Sequence, residues 1–157
     1  MSPLADTTVL NNFAQIRRTD LLKAAWPDLA APIPVWNELE LGVRRGLVPV
    51  CDWSWLEILH LTEQEQARAA EIGRDLGRGE AACIVAAVSR GFLMLSDDWK
   101  ARDLGRSLGL EISGSLGVLD RIVLKQILSL EEADCLLAEM VRRGFRSPYR
   151  SLLEIPR

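Results

Sequence analysis

Four apolar residues in a row, Phe92, Leu93, Met94 and Leu95, constrain this chain more than any other feature. Gly91 bounds them on one side and Ser96-Asp97-Asp98 on the other. The run is too short for a helix and does not alternate, so it reads as a strand buried on both faces, as strands of a parallel sheet are. The segment before it, Glu80 to Arg90, carries Ala81, Ala82, Ile84, Val85 and Val88 at helical spacing. Helix, tight turn and buried strand in succession imply an open α/β sheet, in which ligands bind beyond the carboxyl ends of the strands. Asp97 and Asp98 stand at such an end.

The remaining segments follow the same alternation. Ser2 to Ala5 is a short first strand, and Asp6 follows it as cap of a helix opening at Thr7. A short helix, Asp20 to Ala25, stops at Trp26-Pro27, and Leu29-Ala30-Ala31 is a weak second strand. Pro32 and Pro34 lead into a helix of about Val35 to Arg45, ended by Gly46. Trp53 to Leu61 alternates loosely and reads as a third strand containing His60. Thr62-Glu63-Gln64-Glu65 matches a capping box, opening a helix to about Leu76. After the fourth strand, Trp99 to Leu108 is helical and Leu110 to Ser113 is a fifth strand. Gly114 to Gly117 is a tight connection into a helix from Val118 to Leu128. Ser129 to Glu132 is a second capping box, its helix stopped by Gly144, and a short helix follows Pro148. The expected architecture is one α/β domain over 1–157: a central parallel sheet of about five strands, helices on both faces, and extra C-terminal helices over about 118–157.

Composition narrows the function classes. At 157 residues with 48% hydrophobic and 26% charged residues, the chain is a single globular domain. No apolar run is long enough to cross a membrane, and no signal peptide opens the chain. The three cysteines, Cys51, Cys83 and Cys135, are far apart and form no CxxC pair. Buried reduced thiols in a cytoplasmic protein are expected. A single histidine disfavours a zinc site or a Ser-His-Asp triad. No GxGxxG or Walker pattern supports a nucleotide cofactor. A dehalogenase-like phosphotransferase would need an acid where Thr8 stands, and a receiver domain would carry its acid pair after the first strand.

The acids fall in a pattern. Asp6 closes the first strand, Asp97 and Asp98 close the fourth, Glu80 opens the helix leading into the fourth, and Glu38 lies on the helix after the second. Each has its own local explanation as a cap, a first-turn acid or a solvated side chain. If the first strand lies beside the fourth, they converge. Carboxylates so placed repel unless a divalent cation sits among them, and an all-oxygen set suits Mg²⁺ or Mn²⁺. Such a cation can activate water and stabilise charge on a phosphodiester.

The chain resembles PIN-domain proteins, in particular a bacterial and archaeal branch similar to VapC toxins. The residues that carry the resemblance are Asp6-Thr7-Thr8-Val9-Leu10, Pro34 to Leu39, Gly79-Glu80-Ala81-Ala82, Leu95 to Arg102, Leu108 to Leu110 with Gly114 to Leu119, and Arg143 to Arg146. The resemblance implies central first and fourth strands and a metal-dependent endoribonuclease, the toxin of a type II toxin–antitoxin pair. It further implies a cognate antitoxin and a homodimer. Asp6, Glu80 and Asp98 would be the metal ligands, with Asp97 either a further ligand or a neighbour. Glu38 would complete the catalytic acids, and Thr7 or Thr8 and Ser96 would orient a ligand or its water.

The net charge of −3 is unlike that of a broad nucleic-acid-binding surface and leaves local basic groups as the RNA contacts. Lys100, Arg102 and Arg106 form one such group, together with Thr7 and Ser96 as candidate RNA-contacting residues. Arg142, Arg143, Arg146 and Arg150 form another. Trp99, beside Asp98, is placed either to stack on a base or to cover the core, and the core is the favoured expectation. The alternative reading is a catalytically silent PIN-like module that works by protein–protein binding, motivated by the acidic balance and the basic, apolar tail.

Overall fold

The computed structural model describes residues 2–156. Its centre is a five-stranded parallel sheet in the order β3-β2-β1-β4-β5. The strands are β1 (Pro3–Ala5), β2 (Ala30–Pro32), β3 (Glu57–Leu59), β4 (Leu93–Leu95) and β5 (Ile112–Ser113). The helices among the described residues are α1 (Thr7–Gln15), α2 (Thr19–Ala25), α3 (Ile33–Arg44), α4 (Glu63–Ile72), α5 (Arg78–Arg90), α6 (Trp99–Ser107), α7 (Ser115–Leu124) and α8 (Leu130–Arg142), with a 3₁₀ turn at Leu152–Glu154. This is the architecture expected from the sequence.

Every residue of β1, β2 and β4 is buried, so both faces of the central sheet are covered. The register sets Leu4 beside Met94 and Ala5 beside Leu95. Phe13, Leu10, Leu22 and Ile84 are fully enclosed against these strands. Each such side chain contributes roughly 1.5–3 kcal/mol of burial. α5 is buried along most of its length, from Ala81 to Ala87. Small alanines there let it pack closely on α3 and on β1, β2 and β4. It ends at Gly91, whose φ of +70° is open to glycine at little cost and turns the chain directly into β4.

Several boundaries differ from the sequence reading. The third strand is Glu57–Leu59 only. Upstream, Asp52 accepts a bond from Ser54 N at 2.9 Å, which makes a turn and buries Trp53 against the core instead. His60 lies past the strand and is exposed. α5 begins at Arg78, so Glu80 is in its first turn. α4 stops at Ile72, short of Leu76. α7 begins at Ser115 and ends at Leu124, so Gly114 is its cap and Ser115 to Gly117 are helical, not a connection. All three cysteines are free; Cys83 is buried, Cys51 is partly covered, and Cys135 is exposed on α8, contrary to the expectation of three buried thiols. Both capping boxes are present, Thr62 with Glu65 and Ser129 with Glu132.

Candidate active site

Parallel pairing of β1 with β4 carries the two chains side by side to the carboxyl edge. Asp6 N donates to Leu95 O at 3.0 Å, and Ser96 N donates to Ser113 O at 2.9 Å. Asp6 and Ser96 are therefore neighbours, although 90 positions separate them. Asp6 caps α1, accepting on Oδ1 from Thr8 N at 3.0 Å and from Thr8 Oγ1 at 2.5 Å. Its Oδ2 accepts from Ser96 Oγ. Ser96 Oγ in turn accepts from Asp98 N at 3.2 Å, so this fully buried hydroxyl braces the two aspartates and has no surface to offer RNA.

Asp98 caps α6, its Oδ2 accepting from Ala101 N at 2.9 Å. Glu38 reaches across from α3. It accepts from Thr7 Oγ1 at 2.6 Å and from Gly79 N, at the start of α5, at 3.0 Å. Thr7 is therefore a positioning partner of Glu38 here. Glu80 is half-buried beside it. Asp97 is gripped from two helices: Asn12 Nδ2 donates to it at 2.8 Å and Ser115 N at 2.8 Å, with Ser115 Oγ as a third donor. Thr8 Oγ1 accepts from Asp97 N at 2.8 Å, closing a ring of bonds from α1 to the end of β4. Asn12 and Ser115 went unnoticed in the sequence. Asn12 lies one helical turn after Thr8, a spacing that could have flagged it.

The electrostatics follow from the placement. Burial pushes the Asp6 carboxyl up to about 7, against the pull of its bonds from Ser96 and Thr8, with the charges of Glu80 and Asp97 adding to the rise. Burial also raises Glu80, helped by Glu38 and Asp98. Asp6 thus feels Glu80 and Asp97, and Glu80 feels Glu38 and Asp98, at the carboxyl end of the sheet. Among the described residues, no three of them close into a ready metal cage. Each is instead drawn to local donors, as expected of carboxylates that repel. The carboxylate oxygens are hard and carry excess negative charge, which fits a hard divalent cation such as Mg²⁺ or Mn²⁺.

Arg102 stands beside the acids, half-buried, and donates to Ser96 O at 2.8 Å. Lys100 is exposed at the start of α6. Trp99 is not part of the core: it is 70% exposed, because α6 turns its Ala101 and Gly105 face inward and Trp99 lies off that stripe. The second basic group divides. Arg142 and Arg143 both pair with Glu139, while Arg146 lines a cleft next to Asp97.

Acids at the carboxyl ends of β1 and β4, in a sheet of this order, define the class as a PIN-like α/β fold. The family model DUF3368, a PIN domain, matches residues 3–156. The chain belongs to this PIN-domain family. No curated protein matches the sequence. PIN domains are generally nucleases that bind RNA and use divalent metal ions. Among the described residues no helix is long and apolar enough to cross a membrane.

Proposed function

We propose that the protein is a Mg²⁺- or Mn²⁺-dependent endoribonuclease of the cytoplasm and the toxin of a type II toxin–antitoxin pair. The observation that supports this reading is that the ends of β1 and β4 lie side by side, with Asp6 buried, its carboxyl raised to about 7, and the charges of Glu80 and Asp97 adding to that rise. Asp6, Glu80 and Asp98 would hold the cation, which when bound supplies activated water and charge stabilisation at a phosphodiester. Ser96 and Thr8 hold the Asp6 carboxyl in orientation. Asp97, its oxygens already taken by Asn12 and Ser115, acts as a bracket between α1 and α7 rather than as a ligand. Glu38 keeps Thr7 and the start of α5 in place and adds negative charge at the site. Lys100, Arg102 and exposed Trp99 are suited to an RNA strand passing the acids.

Partner binding has its own support. An apolar cleft of about 320 Å³ lies between α3 and the loop after it, lined by Trp36, Val50 and Trp53 among others. Leu41, Leu47 and Val50 are exposed. Trp53 Nε1 is buried with no hydrogen-bond partner. This is a surface that an antitoxin or a second copy of the chain would cover.

The test is cleavage of a mixed single-stranded RNA panel with Mn²⁺, by wild type and by Asp98→Asn, alongside calorimetric Mn²⁺ titration of both. Cleavage and Mn²⁺ binding are expected for the wild type, and the variant should lose both while keeping its unfolding profile. A variant that cuts as well as the wild type would end the nuclease assignment at these acids.

A further inference from the structure

A second feature lies beside the acids and shares Asp97 and Arg102 with them. A cleft of about 570 Å³ opens between β5, the first turns of α7 and the C-terminal tail as far as Pro156. Arg102 and Arg106 border it from α6, Arg146 from the tail, and Tyr149 lines it. It is continuous with the acidic end of the sheet. Asp97, Phe145 and Arg146 line both this cleft and a smaller one of about 280 Å³ that reaches Thr8, Asn12 and Asp98.

The charges there are unbalanced. Arg142 and Arg143 share an ion pair with Glu139. Arg106 and Arg146 have no ion pair among the described residues. Half-buried Arg102 donates to the Ser96 carbonyl; burial and the nearby charge of Arg106 push its pKa down, against the pull of Asp97 and Asp6. Two acids, Asp97 and Asp120, also line the cleft, and the three guanidiniums outnumber them. A Cβ at Gly114 would come within 2.9 Å of Arg102 Nη1 and would run into Asp97 Oδ1, so glycine is what lets both side chains lie against the floor. Guanidiniums with free donors match phosphate oxygens. An aromatic wall takes the face of any base. The volume lies within the range of small-ligand sites.

We propose that this cleft holds the nucleotide of a single-stranded RNA adjoining the bond to be cut, with its phosphate on Arg102, Arg106 and Arg146 and its base against Tyr149. The inference rests on the ribonuclease reading above and adds to it a substrate subsite built largely from the C-terminal tail. The smaller cleft past Arg146 is the path by which the strand reaches the acids.

The experiment uses full-length protein carrying Asp98→Asn, to prevent cleavage, and measures fluorescence anisotropy of a labelled single-stranded RNA between about 50 and 200 mM salt. Arg106→Ala with Arg146→Ala should weaken binding about tenfold or more. It should also flatten the slope of log affinity against log salt by about 0.7, the value for the one phosphate these arginines share. Lysine at both positions should restore the slope. Tyr149→Ala should weaken binding about tenfold with the slope unchanged. Arg142→Ala, on the ion-paired side of α8, should bind as its parent does. If the double alanine variant keeps its parent's affinity and slope while wild type with Mn²⁺ still cuts RNA, the subsite is wrong and the nuclease reading stands. If wild type neither binds nor cuts any RNA in the panel, both fall.

Discussion

Asp6→Asn should raise the stability of the metal-free protein while removing its activity. Asp6 is 1% exposed, and its carboxyl is raised from 3.8 to about 7. Between those values the folded chain keeps a proton that the unfolded chain has lost. The folded state thus binds more protons, and stability falls as pH rises through this window, then levels off above about pH 7. Each unit is about 1.36 kcal/mol, so the full shift corresponds to roughly 4 kcal/mol and the part between pH 5.5 and 7 to about 2 kcal/mol. Asparagine at this position stays neutral. Its carbonyl can accept from Thr8, and its amide can donate to Ser96 Oγ. Urea unfolding in chelator, followed by tryptophan fluorescence, measures the effect at about pH 5.5 and pH 8. Wild type should lose about 2 kcal/mol on going to the higher pH through Asp6. Glu80, also raised, adds a slope of the same sign in both proteins, so the difference between them isolates Asp6. The variant should be the more stable of the two at pH 8. Mn²⁺ at about 100 times its dissociation constant should return about 2.7 kcal/mol to wild type and much less to the variant. Identical pH slopes in the two proteins would refute the buried-carboxylate argument.

Two further outcomes concern other parts of the fold. Glu65, buried on α4, accepts from Arg90 Nε at 2.9 Å and Nη2 at 2.8 Å, and these bonds, chiefly, hold its carboxyl at about 2. Glu65→Gln should therefore cost about 3 kcal/mol in urea unfolding at pH 7. That contribution is complete above about pH 4.5 and fades as pH falls towards 2; an equal cost at pH 7 and pH 2.5 would contradict it. Gly114→Ala should displace Asp97 and Arg102 from the floor of the tail cleft. RNA cleavage should fall at least tenfold with the unfolding midpoint changed far less, and wild-type cleavage rates in that variant would show that the contact is not needed.

Local chemistry was legible in the sequence and distant chemistry was not. The caps at Asp6, Thr62 and Ser129 follow from residues within three positions of one another, and all three form. The buried run ending at Leu95 announced a central strand because it has no polar face. Trp53 to Leu61 misled because a turn that buries a tryptophan looks, in composition, like a strand. Trp99 misled for a related reason. A large aromatic suggests core, but helical phase sets Ala101 and Gly105 inward and Trp99 outward. The bonds that shape the site span long separations, as with Asn12 to Asp97 and Ser115 to Asp97. Only the one-turn spacing of Asn12 from Thr8 hints at its role, and nothing in the local pattern of Ser115 distinguishes it from an ordinary turn residue.

The capping and functional accounts of the acids describe the same bonds. Asp6 sits at the start of α1, Asp98 at the start of α6, Glu38 and Glu80 at the start of α5, and Asp97 at the start of α7. Four helices thus point their N-termini at one edge of the sheet. Each such end carries roughly half a positive charge, and its unpaired N–H groups are what a carboxylate accepts from. Together they bring roughly two elementary charges to five carboxylates. This lets the chain gather acids without paired cations from its own side chains, and it leaves negative charge uncompensated. Asp6, the most buried of the five, carries the largest consequence in its raised carboxyl. A divalent cation matches what remains in sign and hardness. On the proposed reading, the caps are the means by which this fold would keep an acidic site assembled for a cation, and removing buried Asp6 should relieve the folded state while weakening the site.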